Sequence, residues 1–182
     1  MRHIKIFRSI LLIISIFLIT SCSNNSAMKP EDFKNKEPRL IIEEYLTGNV
    51  KAWGILQNRS GKVTRQFSAD LNGSWDGKQL ILKEKFNWDD GEVQNREWTI
   101  NKIDENNYEG TAGDVVGKAL GYSYGPAFKF EYVLLVPVKG KEMKITFDDW
   151  IFKQDDRVAI NRATMTKFGI KVAELTVVFV KD

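Results

Sequence analysis

Phe67-Ser-Ala-Asp-Leu-Asn-Gly-Ser-Trp75-Asp76-Gly77-Lys78-Gln-Leu-Ile-Leu-Lys-Glu-Lys-Phe86-Asn-Trp88-Asp89-Asp90-Gly91-Glu-Val-Gln-Asn-Arg96-Glu-Trp98-Thr-Ile100 decides the fold. Apolar and polar residues alternate, and Asp-Gly and Asp-Asp-Gly interrupt them at short intervals. Period two with such punctuation predicts an antiparallel meander. Asp-Gly suits a two-residue hairpin turn, and Asp-Asp-Gly a three-residue loop with glycine in the left-handed position. Turn type sets register. An Asp76-Gly77 turn pairs Leu71 with Leu82, Ala69 with Glu84, Phe67 with Phe86 and Asp70 with Lys83. The Asp89–Gly91 loop pairs Leu82 with Trp98, Leu80 with Ile100 and Glu84 with Arg96. Upstream, an Arg59–Gly61 loop pairs Trp53 with Phe67 and Ile55 with Arg65. One shared inward face results, from Trp53 and Ile55 through Phe67, Leu71, Leu82, Phe86, Trp88 and Trp98 to Ile100.

The rhythm continues downstream. A Gly140-Lys141 turn pairs Val136 with Ile145, Leu134 with Phe147 and Tyr132 with Asp149. A four-residue Gln154–Arg157 loop pairs Ile151 with Ile160 and Asp149 with Arg162. Trp150 then faces outward, where the N-terminal segment can cover it. Residues 172–180 read as a closing strand. The glycine-dense stretch 110–125 reads as a sharply bent wall, and residues 38–46 as a short helix ended by Gly48. The expected fold is all-β: an antiparallel up-and-down meander of nine or ten strands, closed as a lipocalin-like barrel with a short N-terminal helix. A transmembrane barrel needs an apolar outside. The outward positions Asp70, Lys83, Lys85 and Asn87 are polar.

The first 21 residues have a basic start, an apolar stretch and a small-residue exit, the layout of a secretory signal. The stretch is shorter than the roughly 20 residues of a spanning helix. Ile19-Thr20-Ser21-Cys22 resembles a bacterial lipobox, so Cys22 is the expected site of lipidation. The expected organisation is a lipoprotein signal at 1–21, the lipidated cysteine and a tether at 22–37, and one barrel domain at 38–182. Ser23 after the cysteine favours the outer membrane, with the barrel facing the periplasm and the lipid anchor as its membrane contact. Cleavage also removes Arg2, Lys5 and Arg8, which leaves 24 basic against 24 acidic residues. No net field remains for nucleic acid or anionic lipid, and nucleic acid is excluded as a partner. His3 is lost too. Without histidine or a free thiol the mature chain lacks Ser-His and Cys-His catalysis and every His or Cys metal site. No metal and no cofactor is called for.

The inward face carries charges that burial makes costly unless paired. Glu84 faces Arg96, and Asp149 lies between Tyr132 and Arg162. The structural explanation is two satisfied pairs that fix register. The functional one is a polar floor for an amphipathic ligand, with Glu84, Arg96, Tyr132, Asp149 and Arg162 as contacts. Catalysis by Asp149 and Arg162 is the third reading, since carboxylates with an arginine are the only acid–base equipment left. The Asp-Asp pairs at 89–90, 148–149 and 155–156 make poor calcium ligands, because adjacent strand residues point apart and calcium wants six to eight oxygens. Gly73-Ser74-Trp75 matches the Gly-x-Trp of lipocalins but lies in the third element, so no lipocalin binding residue is carried over from it.

Trp53-Gly54-Ile55, Gly73-Ser74-Trp75-Asp76-Gly77, Asp89-Asp90-Gly91, Phe147-Asp148-Asp149-Trp150 and Asn161-Arg162-Ala163 carry a resemblance over nearly the whole mature chain. They resemble an uncharacterised family of bacterial lipoproteins, domain of unknown function 3833. The resemblance implies a Gram-negative envelope lipoprotein and brings no activity or ligand. Two functions stand against each other: a tethered barrel that holds a small apolar or amphipathic molecule, such as a fatty acid, lipid or quinone-like compound, and a filled barrel that acts through its outer surface.

Overall fold

The computed structural model describes residues 27–138 and 140–182. The signal segment and Cys22 lie outside the described residues. A 3-10 turn at Pro30–Phe33 is followed by a short helix, α1 (Ile42–Leu46). Ten strands follow: β1 (Gly48–Asn58), β2 (Val63–Trp75), β3 (Gln79–Trp88), β4 (Val93–Lys102), β5 (Asn107–Thr111), β6 (Ala119–Tyr124), β7 (Ala127–Val138), β8 (Lys141–Lys153), β9 (Val158–Lys167) and β10 (Ile170–Lys181). Each pairs antiparallel with its sequence neighbour, and β1 pairs with β10 to close the barrel. The all-β meander is as expected.

The β3–β4 register matches the reading of the sequence, Glu84 against Arg96 and Leu82 against Trp98 included. Two hairpins slide by two residues, which leaves every face unchanged. Gly77-Lys78, not Asp76-Gly77, forms the β2–β3 turn, because the Asp76 side chain accepts from the N–H groups of Lys78 and Gln79. Leu71 therefore faces Glu84, and Asp70 faces Lys85. Likewise the β7–β8 turn closes on Val138 and Lys141 and sets Phe130 opposite Asp149.

Two others slip by one, which reverses faces. The Arg59–Gly61 loop is as expected, but a bulge between Leu56 and Gln57 shifts the ladder. Ala52 and Gly54 point inward, and Trp53 is half exposed. Gly54 leaves room for the Phe67 ring, which would lie 2.3 Å from a Cβ there. The last β8–β9 pair is Lys153 with Ala159, with five residues between them, and the connection is closed by a Gln154–Val158 backbone bond and by Asp155, which accepts from Arg157 and Val158. Asp149 consequently faces Ala163, and Arg162 faces Trp150 on the outside.

The 3-10 turn lies on the outer wall. Phe33 packs against Trp150 and Phe152, so the distal part of the segment read as tether is ordered on the barrel. Helix α1 plugs the lower end with buried Ile42 and Leu46. Its buried Glu43 accepts from Lys102 Nζ at 2.5 Å and from Tyr108 Oη at 2.9 Å. Tyr45 Oη donates to the Arg157 carbonyl at 2.9 Å. The glycine-dense stretch is two short strands joined by a loop across the upper end. There Val116 N donates to Val133 O, and Leu135 N to Asp114 O.

Candidate functional site

Inward residues stack in layers. Leu80, Ile100, Phe128 and Phe179 lie low, above the plug. Phe86, Leu134, Ile145 and Leu175 lie high. Between them, the registers bring Glu84 from β3, Arg96 from β4, Tyr132 from β7, Asp149 from β8 and Asn161 from β9 to mid-height. They line, with mainly apolar neighbours, an internal cavity of about 100 Å³.

Asp149 is satisfied. Tyr132 Oη donates to one oxygen at 2.9 Å, and Asn161 Nδ2 donates to the other. Burial nevertheless raises the Asp149 carboxyl against the pull of those two bonds. Burial, then the neighbouring Asp149, holds the Tyr132 phenol well above its ordinary range. Arg96 is clamped from the loop before β6: Nε lies 3.1 Å from both Asp114 oxygens, and Nη2 lies 2.7 Å from one. Burial opposes the guanidinium charge, but Glu84 and Asp114 outweigh it.

Glu84 differs. Its side chain is 12% exposed, and Arg96 Nη1 stands 3.8 Å from Oε2, beyond hydrogen-bond reach. Among the described residues that oxygen has no hydrogen-bond partner. Burial pushes the carboxyl up to about 7, with Arg96 pulling down and Asp149 pushing further up.

Four of the five candidate site residues thus meet in one belt. Arg162 does not. It is 65% exposed on the outer wall and pairs with Glu174 at 3.3 Å. Asn161 takes its inward place. Asp114 was missed as well, since no strand period marks it among the glycines at 110–125. No group of three or more His, Cys, Asp or Glu side chains among the described residues is placed to hold a metal. Above the belt, Arg65 lies 4.0 Å over the Trp88 ring and bonds Asp90 at 2.7 Å and Glu92 at 2.8 Å, forming one wall of the upper mouth.

A model of the family described as "Protein of unknown function (DUF3833)" matches residues 16–181. No curated protein matches the chain in sequence. Among the solved structures similar in fold are two with TM-scores above 0.5. The S-type phycobiliprotein lyase CPES of Guillardia theta superposes with a TM-score of 0.58 at 10% identity, over 77% of this chain and 90% of that one. A protein of unknown function from the DUF3598 family of Nostoc punctiforme gives 0.60 at 14% identity, over 81% of this chain. This chain spans about half of that protein, 51% of its length.

Proposed function

The chain belongs to the DUF3833 family of proteins of unknown function, and from that premise we propose that it is an envelope lipoprotein whose barrel holds a small apolar molecule with a hydrogen-bond-donating head. One observation carries the ligand reading: a buried carboxylate oxygen of Glu84 stands without a partner in a mainly apolar cavity, where the other charged groups are satisfied. A buried acceptor left unpaired costs about 1–3 kcal/mol, and a donor brought in by a ligand would recover it. The charge balance selects the head. Glu84, Asp114 and Asp149 share one guanidinium, and Arg96 is already engaged by Asp114. A carboxylate head, as on a fatty acid, would meet three carboxyl groups and no uncommitted cation. An amine or hydroxyl would meet acceptors. The volume selects the body. Drug-sized sites span roughly 300–1,000 Å³, so about 100 Å³ suits a single small ring or short chain. Anchoring through acylated Cys22 rests on the lipobox-like Ile19–Cys22, and the outer-membrane address on Ser23 after it.

Ligand-detected NMR with benzylamine, benzyl alcohol, benzoate and toluene tests the reading. The first two should bind, benzoate should bind at least tenfold more weakly, and Glu84→Leu should abolish the preference. Silence from all four probes, toluene included, refutes ligand holding. A second reading, an interaction protein with a filled barrel, draws on half-exposed Trp53 beside exposed Val178 on the outer wall.

A further inference from the structure

The upper end of the barrel is uneven. β10 leaves β1 at Ala173 but continues to a turn at Phe168-Gly169, about three residues or roughly 10 Å beyond. β8 leaves β9 at Thr146 and continues to Lys141, about five residues or roughly 16 Å beyond. The β7–β8 and β9–β10 hairpins thus run past their neighbours, and the adjoining β1–β2 hairpin does so as well, since β2 continues from Phe67 to Val63 beyond β3.

The tips of the first two are apolar where solvent should favour polar residues. Phe168 is 93% exposed, Ile170 and Val172 on the same hairpin are exposed, and so is Val138 at the tip of the β7–β8 hairpin. Neither turn chemistry nor packing accounts for Phe168. Its φ is +51°, a region disfavoured for aromatic residues, and Asn would be the usual occupant of such a turn. Its ring touches no core; Lys167 Nζ lies 5.3 Å from its centroid.

The same hairpins are basic. Lys141, Lys144 and Lys167 make no ion pair among the described residues, and Glu142 is the one exposed acid beside them on the β7–β8 hairpin. Glu174, lower on β10, is occupied by Lys171 and Arg162. Arg59 and Lys62 add charge on the adjoining β1–β2 turn. Of the other acidic residues of this end, Asp114 is taken up by Arg96, and Asp89, Asp90 and Glu92 sit on the β3–β4 turn across the mouth, where Arg65 pairs with two of them. The mature net charge of zero therefore conceals a basic sector, and the exclusion of anionic lipid by net charge does not hold locally.

We infer that the projecting β7–β8 and β9–β10 hairpins dock on an anionic lipid surface, Phe168 entering the interface and the lysines meeting the head groups. Apolar tips in a ring of lysines are what such a surface binds. The acidic turn opposite tilts away, so the mouth opens obliquely over the membrane.

Site-directed spin labelling tests this. The full chain with Phe168→Cys in a Cys22→Ser background is reconstituted in vesicles of phosphatidylcholine, with or without one quarter phosphatidylglycerol. Power saturation then compares collisions with oxygen and with a water-soluble nickel chelate. The oxygen-to-nickel ratio at position 168 should rise at least threefold with phosphatidylglycerol, while a label at Gly77, on the plugged end, stays in water. Joint Lys141→Glu, Lys144→Glu and Lys167→Glu substitution should remove the rise with the circular dichroism unchanged. Equal water exposure at 168 in both vesicles overturns the inference, as does immersion that survives charge reversal or needs no anionic lipid.

Discussion

Replacing Glu84 by glutamine should stabilise the protein, and only above mildly acidic pH. The folded carboxyl titrates at about 7 against an ordinary 4.5, with burial as the main cause. Across that window the folded state holds a proton that the unfolded chain has released. At about 1.4 kcal/mol per pH unit the difference integrates to about 3 kcal/mol. The sign follows from the direction. With its folded value raised, Glu84 leaves stability intact below pH 4.5, and that contribution is lost as pH rises through 7. The amide of glutamine is nearly isosteric with the protonated acid and cannot lose it. Urea unfolding followed by far-UV circular dichroism at pH 5, 6, 7 and 8 measures the outcome. The two proteins should differ least at pH 5, and Glu84→Gln should lead by about 3 kcal/mol at pH 8. Parallel pH profiles, or a variant less stable at pH 8, would refute the view that Glu84 is buried with its charge uncompensated.

The plug supplies the opposite pH dependence. Lys102 and Tyr108 outweigh burial and hold the Glu43 carboxyl below its ordinary 4.5. Glu43→Gln should therefore cost about 1–3 kcal/mol at pH 7, with the deficit shrinking as pH falls below 4.5, in the same unfolding assay. Gly73→Ala would place a Cβ 2.0 Å from the Leu46 carbonyl oxygen. It should lift α1 and cost about 1–3 kcal/mol or more, read as a lower melting temperature and faster amide exchange at residues 42–46. Arg162→Ala, outside the site, should change stability by less than about 1 kcal/mol and leave benzylamine binding unaltered. Cys22→Ala should abolish incorporation of an alkyne-tagged palmitate into the expressed protein, seen by in-gel fluorescence.

What was legible in the sequence followed the turns. Where a turn has one dominant geometry, as at Asp89-Asp90-Gly91, partners were read correctly down the length of the hairpin, and Glu84 met Arg96. Where an aspartate side chain captured two backbone N–H groups, loop boundaries moved. At Asp76 the turn slid by one residue and partners by two, so inward residues stayed inward. At Asp155 the loop lengthened by one, and Arg162 and Asn161 exchanged faces. The bulge at Leu56/Gln57 did the same to Trp53 and Gly54. Gly54, turned inward, makes room for the Phe67 ring, a fit that no local pattern encodes. Asp114 reaches Arg96 from a loop without period, and only the closed barrel brings the two together.

Ion pairs that merely fix register should end with every buried charge satisfied. Asp149 meets that condition through Tyr132 and Asn161, and Arg96 meets it through Asp114. Glu84 does not. Its Oε2 accepts nothing, its nearest cation is committed elsewhere, and above neutral pH its charge opposes folding. A leucine at position 84 would join Leu82 and Phe86 in the same wall at lower cost, as apolar replacements of buried charges commonly do. Register needs no help from it, since the Asp89–Gly91 turn already fixes β3 against β4. The structural explanation therefore accounts for the other members of the belt and stops at the one charged member left without a hydrogen-bond partner. An incoming donor is what would make Glu84 a satisfied residue.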